Sequence, residues 1–284
     1  MSGNSKSLIP LLMSRKRTLT KKIREKFKNS RKSLLESFFK TIPTRSNMLY
    51  WHCCKGSRLE LVKVFPKGIK HPIYLRKGTS DILNYRGIFE REEYKFLASK
   101  LHNVMDLGGY IGLASIYIAN KFPEAEILLV EPDRDNFIMA ELNCRGYKNI
   151  KCINHGVWSH DCKLHQTAQV GRLGGDFGKM FDETNHGDNA VLAKSIEGLM
   201  KVAKFKYLDF CKIDIEGSEK VLFDADNCER WVRKCKLISC EFHDRMIDGC
   251  TDSALKVLNK LKFDTYNSGE YEYFVNSKFL FDRY

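Results

Sequence analysis

The sequence predicts an α/β protein with a mostly parallel sheet and a small N-terminal extension. Three observations predict it. From residue 101 onward, short apolar runs alternate with helical stretches of roughly 10–15 residues. The first of these runs leads directly into Gly108-Gly109 and Gly112. The chain then closes on two strand-like runs, Phe263–Tyr266 and Tyr271–Val275, flanking Asn267-Ser268-Gly269. That last pattern reads as an antiparallel hairpin added to a parallel sheet.

The elements follow in order. Residues 1–45 read as a basic tail. Ile23, Phe27, Leu34 and Phe38 are spaced by four, seven and four residues and make one apolar stripe on a helix flanked by Lys and Arg. Such a helix could lie on an anionic membrane surface or touch nucleic acid, or serve as an organelle-targeting sequence. A solvated tail, or a helix docked on the body, is the plainer alternative. Residues 46–100 form an N-terminal strand and helix extension: Leu59–Phe65 and Ile73–Leu75 read as strands and Phe89–Leu97 as a helix. Residues 101–284 form the main domain. Val104–Leu107, Ile127–Val130, Ile150–Ile153, Leu208–Ile215 and Leu237–Phe242 read as buried strands, which with the two hairpin strands predicts a seven-stranded sheet. Ile111–Asn120, Asp133–Asn143 (N-capped by Asp133) and Ser253–Leu261 read as helices.

Charge is unevenly spread. The chain carries a formal +13, but residues 1–40 hold twelve Lys or Arg against Glu25 and Glu36, a net +10, which leaves +3 for the rest. A nearly neutral body argues against an extended phosphate-binding face. No apolar run reaches membrane-spanning length. The ten cysteines include no Cys-x-x-Cys pair, so a structural zinc site is not expected from that signature. Residues 8–13 are too short an apolar run for a secretory signal. Free thiols in a reducing compartment, the cytoplasm, are the expectation.

The first chemical signal is Asp106-Leu107-Gly108-Gly109-Tyr110-Ile111-Gly112. Glycines at a strand-to-helix junction let the backbone approach a ligand. Glu131, with Pro132 after it, ends the next strand and could accept two ribose hydroxyls. A dinucleotide fingerprint set on Gly109 and Gly112 would need glycine where Leu107 stands. Asp106 would repel a pyrophosphate, but it suits the ammonium of S-adenosylmethionine (SAM), directly or through water. Asp106, Gly108, Gly109, Gly112, Glu131 and Pro132 are therefore candidate SAM-binding residues, against a plain glycine-rich turn with no ligand.

The second signal is Lys212-Ile213-Asp214-Ile215-Glu216-Gly217 and Glu241-Phe242-His243-Asp244. Both lie at the carboxyl ends of predicted parallel strands, where open α/β sheets bind ligands. His243, Asp214 and Glu241 are the candidate catalytic residues, and Asp214 is also counted with the cofactor site. At an ordinary pKa of about 6.5, His243 suits a general base removing a proton from a hydroxyl nucleophile. Alternatively, Asp214, Glu216, Glu241 and His243 could ligate Mg²⁺; no metal is predicted outright. A paired network, with Lys212 neutralising an acid, is the structural alternative.

Together with Val130-Glu131-Pro132, Ser218-Glu219 and Leu75-Arg76-Lys77-Gly78-Thr79-Ser80-Asp81, these motifs resemble the FkbM-type methyltransferases over roughly residues 58–284. The resemblance implies a class I methyltransferase fold, Rossmann-like, and mostly O-methylation of hydroxyls on sugars or small molecules. It implies that Gly108, Gly109, Gly112 and Glu131 bind SAM, that Asp81 and the Thr79-Ser80 pair close over cofactor or substrate, and that Asp214 and Glu216 line the reaction chamber. Gly156 and Val157, just after the third strand of the main domain, stand where methyltransferases commonly contact adenine. The family usually has Ala and Asn where this chain has Gly109 and Tyr110. Glycine for alanine is expected to be tolerated, whereas Tyr110 could stack on the ligand or narrow its access. Gly171, Gly174, Gly175, Gly178 and Gly187 suggest a long loop, either a substrate lid or a variable surface loop.

The leading expectation is a SAM-dependent O-methyltransferase with a small-molecule or glycan hydroxyl acceptor. A protein or nucleic-acid methyltransferase and a non-catalytic SAM-fold scaffold are the alternatives. The Asp214-Ile215-Glu216-Gly217 segment stands where an amino-methylating enzyme often has an Asn/Asp-Pro-Pro-Tyr-like loop.

Overall fold

The structure is a computed structural model. It describes residues 49, 52–54, 60–97, 100–169, 179–183, 190–268 and 271–277. The basic segment 1–45 and the five glycines between 171 and 187 lie outside the described residues.

Strand β1 (Leu61–Val64) pairs antiparallel with β2 (Ile73–Arg76). Helix α1 (Asp81–Tyr85) follows and widens into one π turn, Arg86–Glu90. The helix expected at Phe89–Leu97 therefore lies earlier. Glu92 takes a left-handed φ of 54°, which stops helical propagation, and residues 93–96 form turns only. Asn143 fastens this extension to the body. Its side chain accepts from Tyr74 N (2.8 Å) and donates to the Tyr74 and Ile111 carbonyls.

Strand β3 (Asn103–Leu107), helix α2 (Leu113–Lys121), strand β4 (Glu126–Val130), helix α3 (Arg134–Cys144) and strand β5 (Ile150–Ile153) come next. Asp133 caps α3 as its sequence position implies, accepting from Asn136 N at 3.0 Å. Four strands that the sequence reading lacked then form a separate sheet of order β6-β9-β7-β8: β6 (Gly156–Val157), β7 (Cys162–Gln169), β8 (Lys179–Asp182) and β9 (Ala190–Lys194). They are short or largely polar, so no apolar run announces them.

The chain returns through α4 (Ile196–Ala203), β10 (Phe210–Ile213), α5 (Glu219–Asp224), α6 (Cys228–Val232), β11 (Leu237–Cys240), α7 (Cys250–Lys260), β12 (Asp264–Ser268) and β13 (Tyr271–Val275). Asn267 and Ser268, expected in the hairpin turn, belong to β12, where they pair with Glu272 and Tyr271. The large sheet is mixed, with order β12-β13-β11-β10-β3-β4-β5. Neighbours from β11 to β5 are parallel, and β13 runs antiparallel to both of its neighbours. A dinucleotide-binding sheet places its sixth strand directly beside its fifth; here β13 is inserted between β11 and β12.

Strand order reverses at β3, which pairs with β10 on one side and β4 on the other, so a ligand crevice should open at the carboxyl ends of these strands. Met105, Leu107, Leu128, Val130, Ile213 and Ile238 pack with Leu222, Phe223, Trp231 and Leu258 of α5–α7 and with Phe274. Each such side chain contributes roughly 1.5–3 kcal/mol by leaving water, which holds the strand ends rigidly around the crevice. Among the described residues no helix is long and apolar enough to cross a membrane.

Candidate active site

A cavity of about 700 Å³ opens at the expected edge. The glycine loop forms one side. Gly108 N and Gly109 N both donate to the Val130 carbonyl at 3.0 Å, folding the chain back over β4. Gly108 has φ 75°, and a Cβ there would fall 1.7 Å from the Asp214 carbonyl oxygen. That position requires glycine, because the neighbour is backbone. At Gly109 an added Cβ would meet Leu129 Cγ at 2.3 Å. Gly109 and Leu129 are thus matched in size, and alanine at 109 would force Leu129 to move.

Tyr110 follows at φ 49°, a region most side chains avoid. Hydrogen bonds from both its backbone and its side chain hold it there. Its amide donates to Glu131 Oε2 (2.9 Å), and its hydroxyl donates to Asp81 Oδ1 (2.6 Å). Asp81 is fully buried and also accepts two hydrogen bonds from the Arg76 guanidinium, at 2.9 and 2.7 Å. It does not line the cavity, and neither do Thr79 and Ser80. Asp81 reaches the cavity through residues that do line it: Tyr110 directly, and Asn136 by way of Arg76. The Arg76 guanidinium carbon lies 5.5 Å from the centre of the Tyr110 ring.

Glu131, Pro132, Gly156, Val157 and Asp214 line the cavity with Gly108 and Gly109. Glu131 accepts from Tyr110 N and, through Oε1, from Asp133 N at 2.9 Å. Burial, then the neighbouring Asp133 charge, push its carboxyl up to about 8. Gly112 starts α2 beneath the loop, packed against Cys144. Asp106 is fully buried and away from the cavity; Oδ2 accepts from Ser115 Oγ at 2.7 Å, and Oδ1 lies 3.3 Å from Lys212 Nζ. Lys212 therefore takes the position that the sequence reading gave to a ligand ammonium. Its Nζ also donates to the Gly108 carbonyl (3.0 Å) and pairs with Asp214 Oδ2 (3.1 Å). Burial opposes its charge, but Asp214 and Asp106 outweigh that and hold it protonated.

The second wall is the carboxylate group around His243. Strand β10 ends earlier than the sequence suggested because Glu216 and Gly217 turn the chain at φ 54° and 95°. Glu219 fixes that turn, accepting from Ile215 N (3.0 Å) and Gly217 N (2.9 Å). His243 Nδ1 sits 3.0 Å from Glu219 Oε1, and Nε2 lies 3.4 Å from Glu216, 3.6 Å from Glu241 and 3.9 Å from Asp214. Burial pulls the imidazolium down, but Glu219, then Glu216 and Asp214, overcome it and push the ring up to about 9. His243 thus keeps its proton at neutral pH, and the premise of an ordinary pKa for a general base does not hold. Asp214, Glu216 and Glu241 line the cavity; His243 stands behind them. Asp214, Glu241 and His243 also bring ligand atoms within 4.8 Å of one another. The Lys212 ammonium, 3.1 Å from Asp214 Oδ2, already offsets part of the negative charge of that group.

Glu219 was quoted in the sequence motif without a role. Tyr271, whose hydroxyl donates to Asp214 Oδ2 at 3.2 Å, and Leu164, Lys179 and Phe181 of the small sheet were missed altogether. No local signal marks them, because the chain crossovers bring them in from distant segments.

No protein-family model and no curated protein sequence matches the chain. Solved structures similar to it include several methyltransferases. They include methyltransferase FkbM from Methylobacillus flagellatus KT, at 16% identity and TM-score 0.46 over 67% of this chain. Precorrin-6y C5,15-methyltransferase from Geobacter metallireducens GS-15 matches at 14% and 0.37 over 64% of this chain and 81% of that one. The Methanococcus jannaschii fibrillarin pre-rRNA processing protein matches at 12% and 0.40 over 76% and 86%. The chain spans 47% of the length of the FkbM protein. These are loose superpositions; the α/β class rests on the mixed sheet itself.

Proposed function

We propose that the protein is a SAM-dependent methyltransferase acting on a hydroxyl of a small molecule or sugar. The observation that carries this reading is the convergence of the glycine loop, Glu131 and the Asp214–Glu241 carboxylates on one cavity at the point where strand order reverses. The residues fit SAM. Gly108 and Gly109 let the loop fold tightly against Asp214 and Leu129 at the cavity edge, and Glu131 lines the cavity with a carboxyl that would accept ribose hydroxyls. Gly156 and Val157 offer a wall for the adenine.

When bound, SAM supplies an electrophilic methyl group on its sulfonium. Asp214 or Glu241, the candidate catalytic carboxylates that line the cavity, would take the proton of an acceptor hydroxyl as that oxygen accepts the methyl group. His243 holds those carboxylates from behind and offsets part of their charge. A divalent ion is not part of the proposal.

Calorimetric titration with SAM, and with NAD⁺ in a parallel cell, tests the reading. Binding of SAM without NAD⁺ is expected. Wild-type affinity for SAM should improve as pH rises through about 8, where Glu131 ionises, and Glu131→Gln should abolish that improvement and bind more weakly above pH 8. Folded protein that binds no SAM would overturn the proposal.

A further inference from the structure

We propose that His160, Cys162 and Glu183 form a site for a transition-metal ion of zinc type, on the small sheet and apart from the active site. Cys162 begins β7, His160 lies two residues before it, and Glu183 directly follows β8. One ligand atom from each lies within 4.8 Å of the other two. A tetrahedral zinc site spaces its ligand atoms by about 3.3–3.8 Å, given bonds of about 2.0–2.3 Å, so small side-chain rotations close the site. Imidazole, thiolate and carboxylate together select a borderline ion such as Zn²⁺ or Co²⁺ over Mg²⁺ or Ca²⁺.

Two outer contacts already aim the donors. Ser159 Oγ lies 3.1 Å from His160 Nδ1, which turns Nε2 inward, 2.9 Å from Glu183 Oε1. Trp158 Nε1 donates to the other oxygen, Glu183 Oε2, at 3.1 Å. Metal-ligating histidines and carboxylates are characteristically oriented by such partners. The Cys162 thiol faces the Glu183 carboxylate, and burial together with that charge pushes it up to about 11 while no ion is bound. One thiolate and one carboxylate neutralise a divalent ion, and binding releases the thiol proton. His160 is more than half exposed, which leaves the fourth position to water.

None of the three residues lines the catalytic cavity, but Leu164 of β7 and Lys179 and Phe181 of β8 do. An ion bridging the start of β7 to the end of β8 would pin the two strands that build that wall.

Chelator-treated full-length protein titrated with Co²⁺ tests the inference without SAM. One equivalent should bind and give a thiolate-to-cobalt charge-transfer band, which one equivalent of Zn²⁺ then bleaches. Cys162→Ser should abolish the band. His160→Gln and Glu183→Gln should each weaken binding at least tenfold, and Ser159→Ala by about tenfold. All four positions are exposed or half-buried, so the variants should fold, which circular dichroism checks. Absence of a stoichiometric band would overturn the site. So would a band that survives Cys162→Ser, which assigns the cobalt to another of the ten cysteines.

Discussion

Replacing Tyr110 with phenylalanine deletes one oxygen and leaves the ring in place. The deleted hydroxyl donates over 2.6 Å to Asp81, a carboxylate with no exposed surface. A hydrogen bond to a charged group contributes about 1.5–3 kcal/mol, and that is the expected loss of stability. Arg76 still pairs with Asp81 in the variant, so the loss should stay below the roughly 3–5 kcal/mol expected when a buried ion pair is broken. In a chain of this size about 1 kcal/mol moves the midpoint by about 2–4 °C, so Tm should fall by roughly 3–12 °C. The hydroxyl also helps to keep Tyr110 at φ 49°, with its amide on Glu131, so SAM affinity should fall as well. Urea unfolding reads the first effect as a lower midpoint at unchanged slope; calorimetry reads the second. An unchanged midpoint would refute the view that Asp81 secures the glycine loop through Tyr110.

Gly108→Ala should abolish SAM binding and destabilise the fold by at least about 1–3 kcal/mol, because its Cβ meets the Asp214 carbonyl; normal binding in calorimetry would show that the loop is looser than described. The folded pKa of His243 is raised from 6.5 to about 9, so its stabilisation is complete below 6.5 and is lost as pH rises through 9. Wild-type stability should therefore fall relative to His243→Gln across that window, by on the order of 3 kcal/mol. Parallel pH profiles in both proteins would disprove the protonated nest. The same variant should lower turnover far more than SAM affinity, since His243 touches Asp214 and Glu241, the proposed proton acceptors, and not the glycine loop.

Sequence alone determined the alternation of elements, the cap at Asp133 and the glycine loop with Glu131 at the next strand end. These signals are local: an apolar period, a capping oxygen, residues without Cβ. It also placed the two ionisable sets at the ends of β10 and β11, and it offered Lys212 as a neutralising partner, which the structure bears out. Only the tertiary structure decided what those groups are. His243 becomes a held proton because Glu219, Glu216, Glu241 and Asp214 converge on it from a turn and two strand ends. Asp81 leaves the cavity because Arg76 captures it, and Asp106 because Lys212 does. The small sheet, and with it the His160–Cys162–Glu183 group, exists through pairings between strands that are short or largely polar. Residue types announce which chemistry is available; burial and the charges brought in by crossovers determine the protonation and direction of each group, and no window of sequence contains those.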